Sequence, residues 1–173
     1  MASPALSVSL LVLLAVLLIM AGEAALSAYN TRVLRARGAV EPDGDVYGVM
    51  QWAYPAAFVA MAAEGALAGP APPAVLAAGL ATFGLAKALK IWAVSALGLR
   101  WTFRVLVLPG APLVAAGPYR LMRHPNYLAV AGEIAGVALT VGAFVTGPLA
   151  LAGFGYLMWR RVQVEDAALG RRA

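Results

Sequence analysis

The chain has 173 residues, of which 62% are hydrophobic and only 12% charged. A soluble domain of this size carries about a quarter charged residues, so the composition indicates an integral membrane protein. With no cysteine and one histidine, disulfides, thiolate zinc sites, a cysteine nucleophile and a multi-histidine metal centre are excluded, and no metal site is expected.

The first apolar span covers about Ala5–Ala28. Met1, Ala2, Ser3 and Pro4 before it carry no Lys or Arg, so the positive start of a signal peptide is missing. A retained helix that crosses the bilayer once is expected, since a crossing takes about 20 residues. The second span runs from Tyr47 to Leu67 and the third from Pro73 to Leu97, joined by a tight Gly/Pro-rich link. The fourth runs from Pro125 to Val141 and the fifth from Gly147 to Arg160. These last two are short enough for a packed hairpin with its tip at Thr146-Gly147-Pro148.

The fold class expected is therefore an all-α integral membrane protein with about five transmembrane helices. Residues 1–173 form one membrane domain, divided into a three-helix part (1–97) and a loop with a C-terminal helical hairpin (98–173). The formal net charge is +5. The basic residues all fall in the 29–46 loop, the 98–124 segment, the C-terminus or the adjoining ends of spans three and five. The positive-inside rule then puts the N-terminus outside and the C-terminus in the cytoplasm, and explains the basic clusters without nucleic acid.

Glu23, Glu64, Lys87, Lys90 and Glu133 interrupt the apolar spans. An unpaired charge near the bilayer centre costs about 2.5–3.5 kcal/mol on insertion scales. At about 1.5 Å per residue, Glu23, Lys87, Lys90 and Glu133 reach similar depth in the inner half of the membrane. Two acids and two bases there can neutralise one another, as interhelical glue or as the lining of a polar cavity. Glu64 is expected near the outer surface, in water.

The long inner segment carries Arg100 and Arg104 on either side of Trp101-Thr102-Phe103, a pattern of interfacial anchors. Residues 105–108 read as a short extended segment. Ala111–Ala116 is apolar yet lies between Gly/Pro turns, so it packs over a ligand, lipid headgroups or the bundle. His124-Pro125 fits a helix start whose free N–H groups favour an anion. A lone histidine such as His124 is more often a headgroup or capping residue than a catalyst; Tyr119, Arg123, Asn126 and Tyr127 beside it point to a site. Gly132 and Gly136 permit close helix approach. Arg161 and Glu165 are four apart on one helix face and alone read as a weak surface pair.

Two motifs carry a resemblance. Gly117-Pro118-Tyr119-Arg120 followed by Arg123-His124-Pro125-Asn126-Tyr127, and then Arg161, Glu165, Asp166 and Leu169 after the hairpin, resemble the isoprenylcysteine carboxyl methyltransferase family of integral membrane enzymes. Asn30, Arg32, Leu34 and Ala36–Glu41, then Tyr47, Met50 and Leu97–Thr102, look like a bacterial subgroup encoded beside type III polyketide synthases and associated with O-methylation of alkylpyrones and alkylresorcinols.

The resemblance implies an S-adenosylmethionine-dependent O-methyltransferase of the bacterial inner membrane. Its active site faces the cytoplasm, and its partners are a lipophilic substrate and membrane lipid. Cofactor contacts fall on Arg104, Ala111, Pro112, Leu113, Val114, Tyr119, His124, Pro125, Asn126, Tyr127 and Glu165. Arg161 falls on a substrate-binding arginine, also expected to act in catalysis by orienting the nucleophile. Glu133 is a possible base. Family members usually continue past the glutamate with a Phe-Gly…Tyr tail; here Leu169 is followed by Gly170-Arg171-Arg172-Ala173. The alternatives are a nicotinamide-dependent membrane reductase of sterol-reductase type and a non-enzymatic membrane subunit.

Overall fold

A computed structural model describes residues 4–170. Met1–Ser3, and Arg171 and Arg172 of the expected inner-side basic set, lie outside the described residues, as does the end of the short tail. Within them the chain forms α1 (Pro4–Ala36), α2 (Tyr47–Ala68), α3 (Pro73–Leu97), α4 (Pro125–Val141) and α5 (Thr146–Ala168). Short 3-10 turns at Gly98–Arg100 and Gly117–Arg120 punctuate the long inner segment. No strand forms among the described residues; Val40 and Val107 make one isolated antiparallel bridge, with N–H···O distances of 2.8 and 2.9 Å.

Pro73 and Pro125 open α3 and α4 in the first turn, where the missing N–H costs nothing. Gly142 closes α4 in the left-handed conformation, with its N–H turned back to Ala138 and Leu139 carbonyls. The hairpin tip is therefore Gly142–Val145, and Thr146-Gly147-Pro148 is the first turn of α5. Glu64 closes the same end. Its carboxylate accepts hydrogen bonds from the N–H of Val145 (2.9 Å) and Thr146 (2.7 Å) and from the Thr146 hydroxyl (2.6 Å). Glu64 remains partly exposed at this end, as expected, and it also caps the start of α5, where orphan donors need an acceptor.

Among the described residues two helical stretches, Ala5–Ala36 and Pro73–Arg100, are long and apolar enough to cross a membrane. In each, only 17% of the apolar window is buried, so neither is a core helix. Leu10, Leu11, Leu14 and Leu18 on α1 and Leu80, Leu85 and Ile91 on α3 point outward. Apolar outer faces of this extent suit lipid, and the all-helical architecture is consistent with a membrane protein.

The core lies where α2, α4 and α5 meet: Phe58, Met61, Ile134, Val137, Val141, Phe154 and Met158 are buried together. α4 packs on α3 at backbone distance. A Cβ on Gly136 would stand 2.6 Å from the Phe83 nitrogen, and one on Gly132 would stand 2.9 Å from the Ala86 Cβ. The small-residue step expected from the sequence is thus used against α3.

Both α1 and α5 run about two turns past their apolar spans, ending at Ala36 and Ala168. The extensions are polar, but the inner segment packs on them. Asn30, 2% exposed, donates to the carbonyls of Trp101 (2.7 Å) and Gly98 (3.3 Å). Apolarity marks where lipid ends, whereas the helix ends where its packing partner does.

Candidate active site

Residues 101–105 run between the C-terminal ends of α1 and α5 and the N-terminal end of α2 and are tied to several elements. The Phe103 N–H donates to Ser27 Oγ at 2.7 Å, and the Val105 N–H to Asp45 Oδ2 at 3.0 Å. Arg161 Nη2 donates to the Phe103 carbonyl. Trp101 is 3% exposed, and its indole N–H donates to Asn126 Oδ1 at 3.2 Å. The reading of Trp101 as an interfacial anchor is therefore corrected: the segment folds inward, and the indole becomes part of a wall.

That wall divides two cavities. The larger, about 320 Å³, lies among α1, α2, α4 and α5, with Met20, Met50, Pro55, Val130 and Phe154 as its apolar lining. The smaller, about 90 Å³, lies under the inner segment and gathers Arg104, Tyr119, Arg123, His124 and Glu165. Trp101, Thr102, Asn126, Tyr127 and Arg161 line both.

The smaller cavity is a polar network. The Tyr127 hydroxyl donates to Glu165 Oε2 at 2.7 Å. His124 stacks on the Tyr127 ring, with centroids 5.5 Å apart. Its Nε2 lies 3.2 Å from Asp166 Oδ1, and its Nδ1 lies 3.8 Å from Glu165 Oε2. His124 occupies the N-cap position of α4, yet its side chain makes no capping bond, so it is not a capping residue. The Tyr127 N–H turns back to the His124 carbonyl at 3.2 Å, which uses one of the first-turn donors expected to be free. Burial, and then the charge of Glu165, push the Tyr119 phenol above its ordinary range, so it is a neutral hydroxyl at physiological pH. Arg104 reaches this cavity while paired with Glu41 at 2.7 Å and stacked over the Tyr47 ring at 4.6 Å.

Arg161 sits at the seam. It is 6% exposed, which removes it from the class of surface ion pairs. Its guanidinium lies 3.7 Å from Asp45 Oδ2 and 3.8 Å from Met50 Sδ. Its buried Nε has no hydrogen-bond partner among the described residues. A buried donor left unpaired costs about 1–3 kcal/mol, and a ligand oxygen would satisfy it.

Several expected residues stand elsewhere. Ala111, Pro112, Leu113 and Val114 line neither cavity, and Leu113 is 48% exposed. Arg100 reaches the Pro112 carbonyl, which holds this segment on the outside. Pro125 is buried at the start of α4 and serves the helix rather than a cavity wall.

Glu133, 2% exposed, also lines neither cavity. Lys87 stands 2.9 Å and Lys90 3.3 Å from it, and the Tyr54 hydroxyl donates to it. Its Oε2 accepts from Tyr54 and Lys90, while its Oε1 faces Lys87 without a hydrogen bond. Lys87 and Lys90 also pair with Glu23, at 2.8 and 2.6 Å, which forms the expected two-acid, two-base cluster. Tyr54 and Asp45 are site residues that the sequence did not mark. A tyrosine in an apolar helix and an aspartate in a short loop carry no local signal.

The sequence profile of the isoprenylcysteine carboxyl methyltransferase (ICMT) family matches residues 78–171. The chain belongs to this family. It is also 32% identical to the uncharacterized protein YpbQ of Bacillus subtilis (strain 168), over 91% of this chain and 94% of that protein. No solved structure gives a significant match. The ICMT match begins inside α3 and takes in Lys87, Lys90, the dividing wall and both motif segments. ICMT enzymes are methyltransferases that use S-adenosylmethionine as methyl donor, so the reductase and subunit readings are not favoured.

Proposed function

We propose that this chain transfers a methyl group from S-adenosylmethionine to an oxygen of a lipophilic acceptor. The acceptor lies in the larger cavity, and the amino-acid end of the cofactor lies in the smaller. The observation that carries this reading is the shared wall: one cavity is mostly apolar, one is polar, and Arg161 lines both while its buried Nε has no hydrogen-bond partner among the described residues. The donor set suits a zwitterion. Glu165 offers a carboxylate to an ammonium, while Arg123 and Arg104 offer cations to a carboxylate.

The bound cofactor supplies a methyl group on a sulfonium, open to in-line attack by an oxygen. The protein's part is to bring the two ligands together and keep water out. Tyr127 and His124 fix Glu165 at the cofactor end. Asp45 and the Phe103 carbonyl hold the Arg161 guanidinium, and its Nε donates to the attacking oxygen, favouring the ionised form. A carboxylate or an acidic enol is already ionised near neutral pH and needs no base. Trp101 and Phe103 close the wall against water.

The N-terminal motifs support an alkylpyrone or alkylresorcinol as acceptor; the family name supports a prenylcysteine. The distribution of basic residues supports a plasma-membrane protein whose smaller cavity opens to the cytoplasm. The test is calorimetric titration of detergent-purified protein with S-adenosylmethionine, S-adenosylhomocysteine and NADPH. Binding of the first two alone is expected; binding of NADPH alone would refute the reading.

A further inference from the structure

A third cavity, an open groove of about 420 Å³, runs along the C-terminal half of α1. Ala24, Ala28, Arg32 and Arg35 line it from the helix, spaced four, four and three residues apart and so on one face. Phe103 and Arg104 line it from the inner segment. Every charged residue in its lining is an arginine. Glu41 accepts a hydrogen bond from Arg35 at 2.6 Å and from Arg104 at 2.7 Å, yet does not itself line the groove. Arg32 has no ion-pair partner among the described residues. One carboxylate is thus set against three guanidinium groups, and the surplus positive charge lies on the groove.

Charge alone does not make a site, since basic residues mark the cytoplasmic side of membrane proteins generally. The level of these arginines says more. The apolar span of α1 ends near Ala28, and Arg32 follows about 6 Å further along the helix, at about 1.5 Å per residue. The headgroup layer is about 5–7 Å thick on each side of the hydrocarbon. The groove therefore crosses from the hydrocarbon, at Ala24 and Ala28, into the headgroup layer, at Arg32 and Arg35. Small side chains leave room where an acyl chain would lie, and cations gather where a phosphate would lie. A guanidinium fork also matches a phosphate in shape, bonding two of its oxygens at once.

We propose that this groove binds an anionic phospholipid, with its phosphate on Arg32, Arg35 and Arg104 and an acyl chain along Ala28 and Ala24. Phosphatidylcholine fits less well, because its choline cation cancels the charge that the arginines attract. The site stands apart from the methyl-transfer reading and does not depend on it.

The test is calorimetric titration of the full-length protein, in uncharged detergent at fixed micelle concentration. The probes are dioleoylphosphatidylglycerol, dioleoylphosphatidylcholine and inorganic phosphate. Phosphatidylglycerol should bind about twenty-fold more tightly than phosphatidylcholine, at roughly fivefold for each of two arginines. In Arg32→Gln/Arg35→Gln that preference should fall to about threefold or less. Arg37→Gln/Arg160→Gln removes the same charge outside the groove and should keep it. Ala28 is exposed, so Ala28→Trp fills the groove without changing charge, and it carries the test if the arginine variant does not fold. It should lose the preference as well. Equal affinities for the two lipids, a preference that survives in the groove variants, or one that falls equally in the charge-matched control would overturn the proposal. So would inorganic phosphate binding as tightly as phosphatidylglycerol, since the ligand would then be a free anion rather than a lipid.

Discussion

The Tyr127 hydroxyl donates to Glu165 Oε2 at 2.7 Å and so joins the start of α4 to the C-terminal end of α5. The two residues are 38 apart in sequence, and His124 stacks against the pair. Glu165 is thereby aimed into the smaller cavity. Glu165→Ala is expected to weaken S-adenosylhomocysteine binding by about ten- to a hundredfold, the range for a hydrogen bond to a charged group. Tyr127→Phe, which frees the carboxylate without removing it, should cost less. Calorimetry on both variants checks the order, and an unchanged affinity in Glu165→Ala would remove this residue from the site.

Arg161→Lys separates charge from geometry. Lysine keeps the cation but lacks the planar fork and the Nε donor. Methyl transfer should fall by about a hundredfold in kcat/KM, comparable to losing one donor to a developing anion. S-adenosylhomocysteine binding should change far less. A variant with native kcat/KM would show that the orphaned Nε does not meet the acceptor.

Glu133→Gln leaves Lys87 and Lys90 with Glu23 as their one acidic partner. Breaking a buried pair by removing one partner costs about 3–5 kcal/mol. A lower thermal midpoint in detergent is expected, with the smaller cavity still able to bind cofactor in the folded fraction. Stability equal to the native protein would mean that the lysines find solvent or lipid phosphate instead.

Gly136→Ala tests the α3–α4 approach. The added Cβ would collide with the Phe83 backbone, and overpacking of this kind costs about 1–3 kcal/mol. Gly84→Ala meets open space on α3 and serves as the control. Thermal unfolding should separate the two variants, and similar midpoints would mean that the helices can part without cost.

Glu41 accepts from Arg35 at 2.6 Å and from Arg104 at 2.7 Å. Partial burial pushes its carboxyl up, but the two arginine hydrogen bonds outweigh this and hold it below the usual carboxylate range. A depressed folded-state value stabilises above the unfolded value and is lost as pH falls through the folded one. The contribution should therefore be present at neutral pH and fade below about pH 4. Because the pair is largely solvated, it should also shrink with salt. Acid unfolding of Glu41→Gln against the native chain measures it; coincident curves would show that the pair contributes nothing.

Much of the architecture is legible locally. Runs of apolar residues locate every helix, and the helix starts at Tyr47, Pro73 and Pro125 coincide with the aromatic or proline that opens each run. The depth estimate alone brings Glu23, Lys87, Lys90 and Glu133 together, because a charge in lipid must find a partner. The helix ends at Ala36 and Ala168 are not legible, since they depend on the inner segment packed against them. Nor is the position of Ala111–Val114 away from both cavities, where an apolar loop reads as buried but Pro112 and Leu113 are exposed and Arg100 reaches the Pro112 carbonyl.

The sequence by itself determined a helical chain for lipid, the residues of the polar motifs and the neutral ion cluster. Each follows from a local cost: unpaired backbone or charge in hydrocarbon, or a proline's fixed angle. Only the tertiary structure decided that Trp101 becomes a wall, that Tyr54 stands between Glu133 and the cavity, and that Arg161 reaches toward Met50, 111 positions earlier. Those relationships arise when distant segments close on one another, and no periodicity or spacing within a helix encodes which distant side chain it will meet.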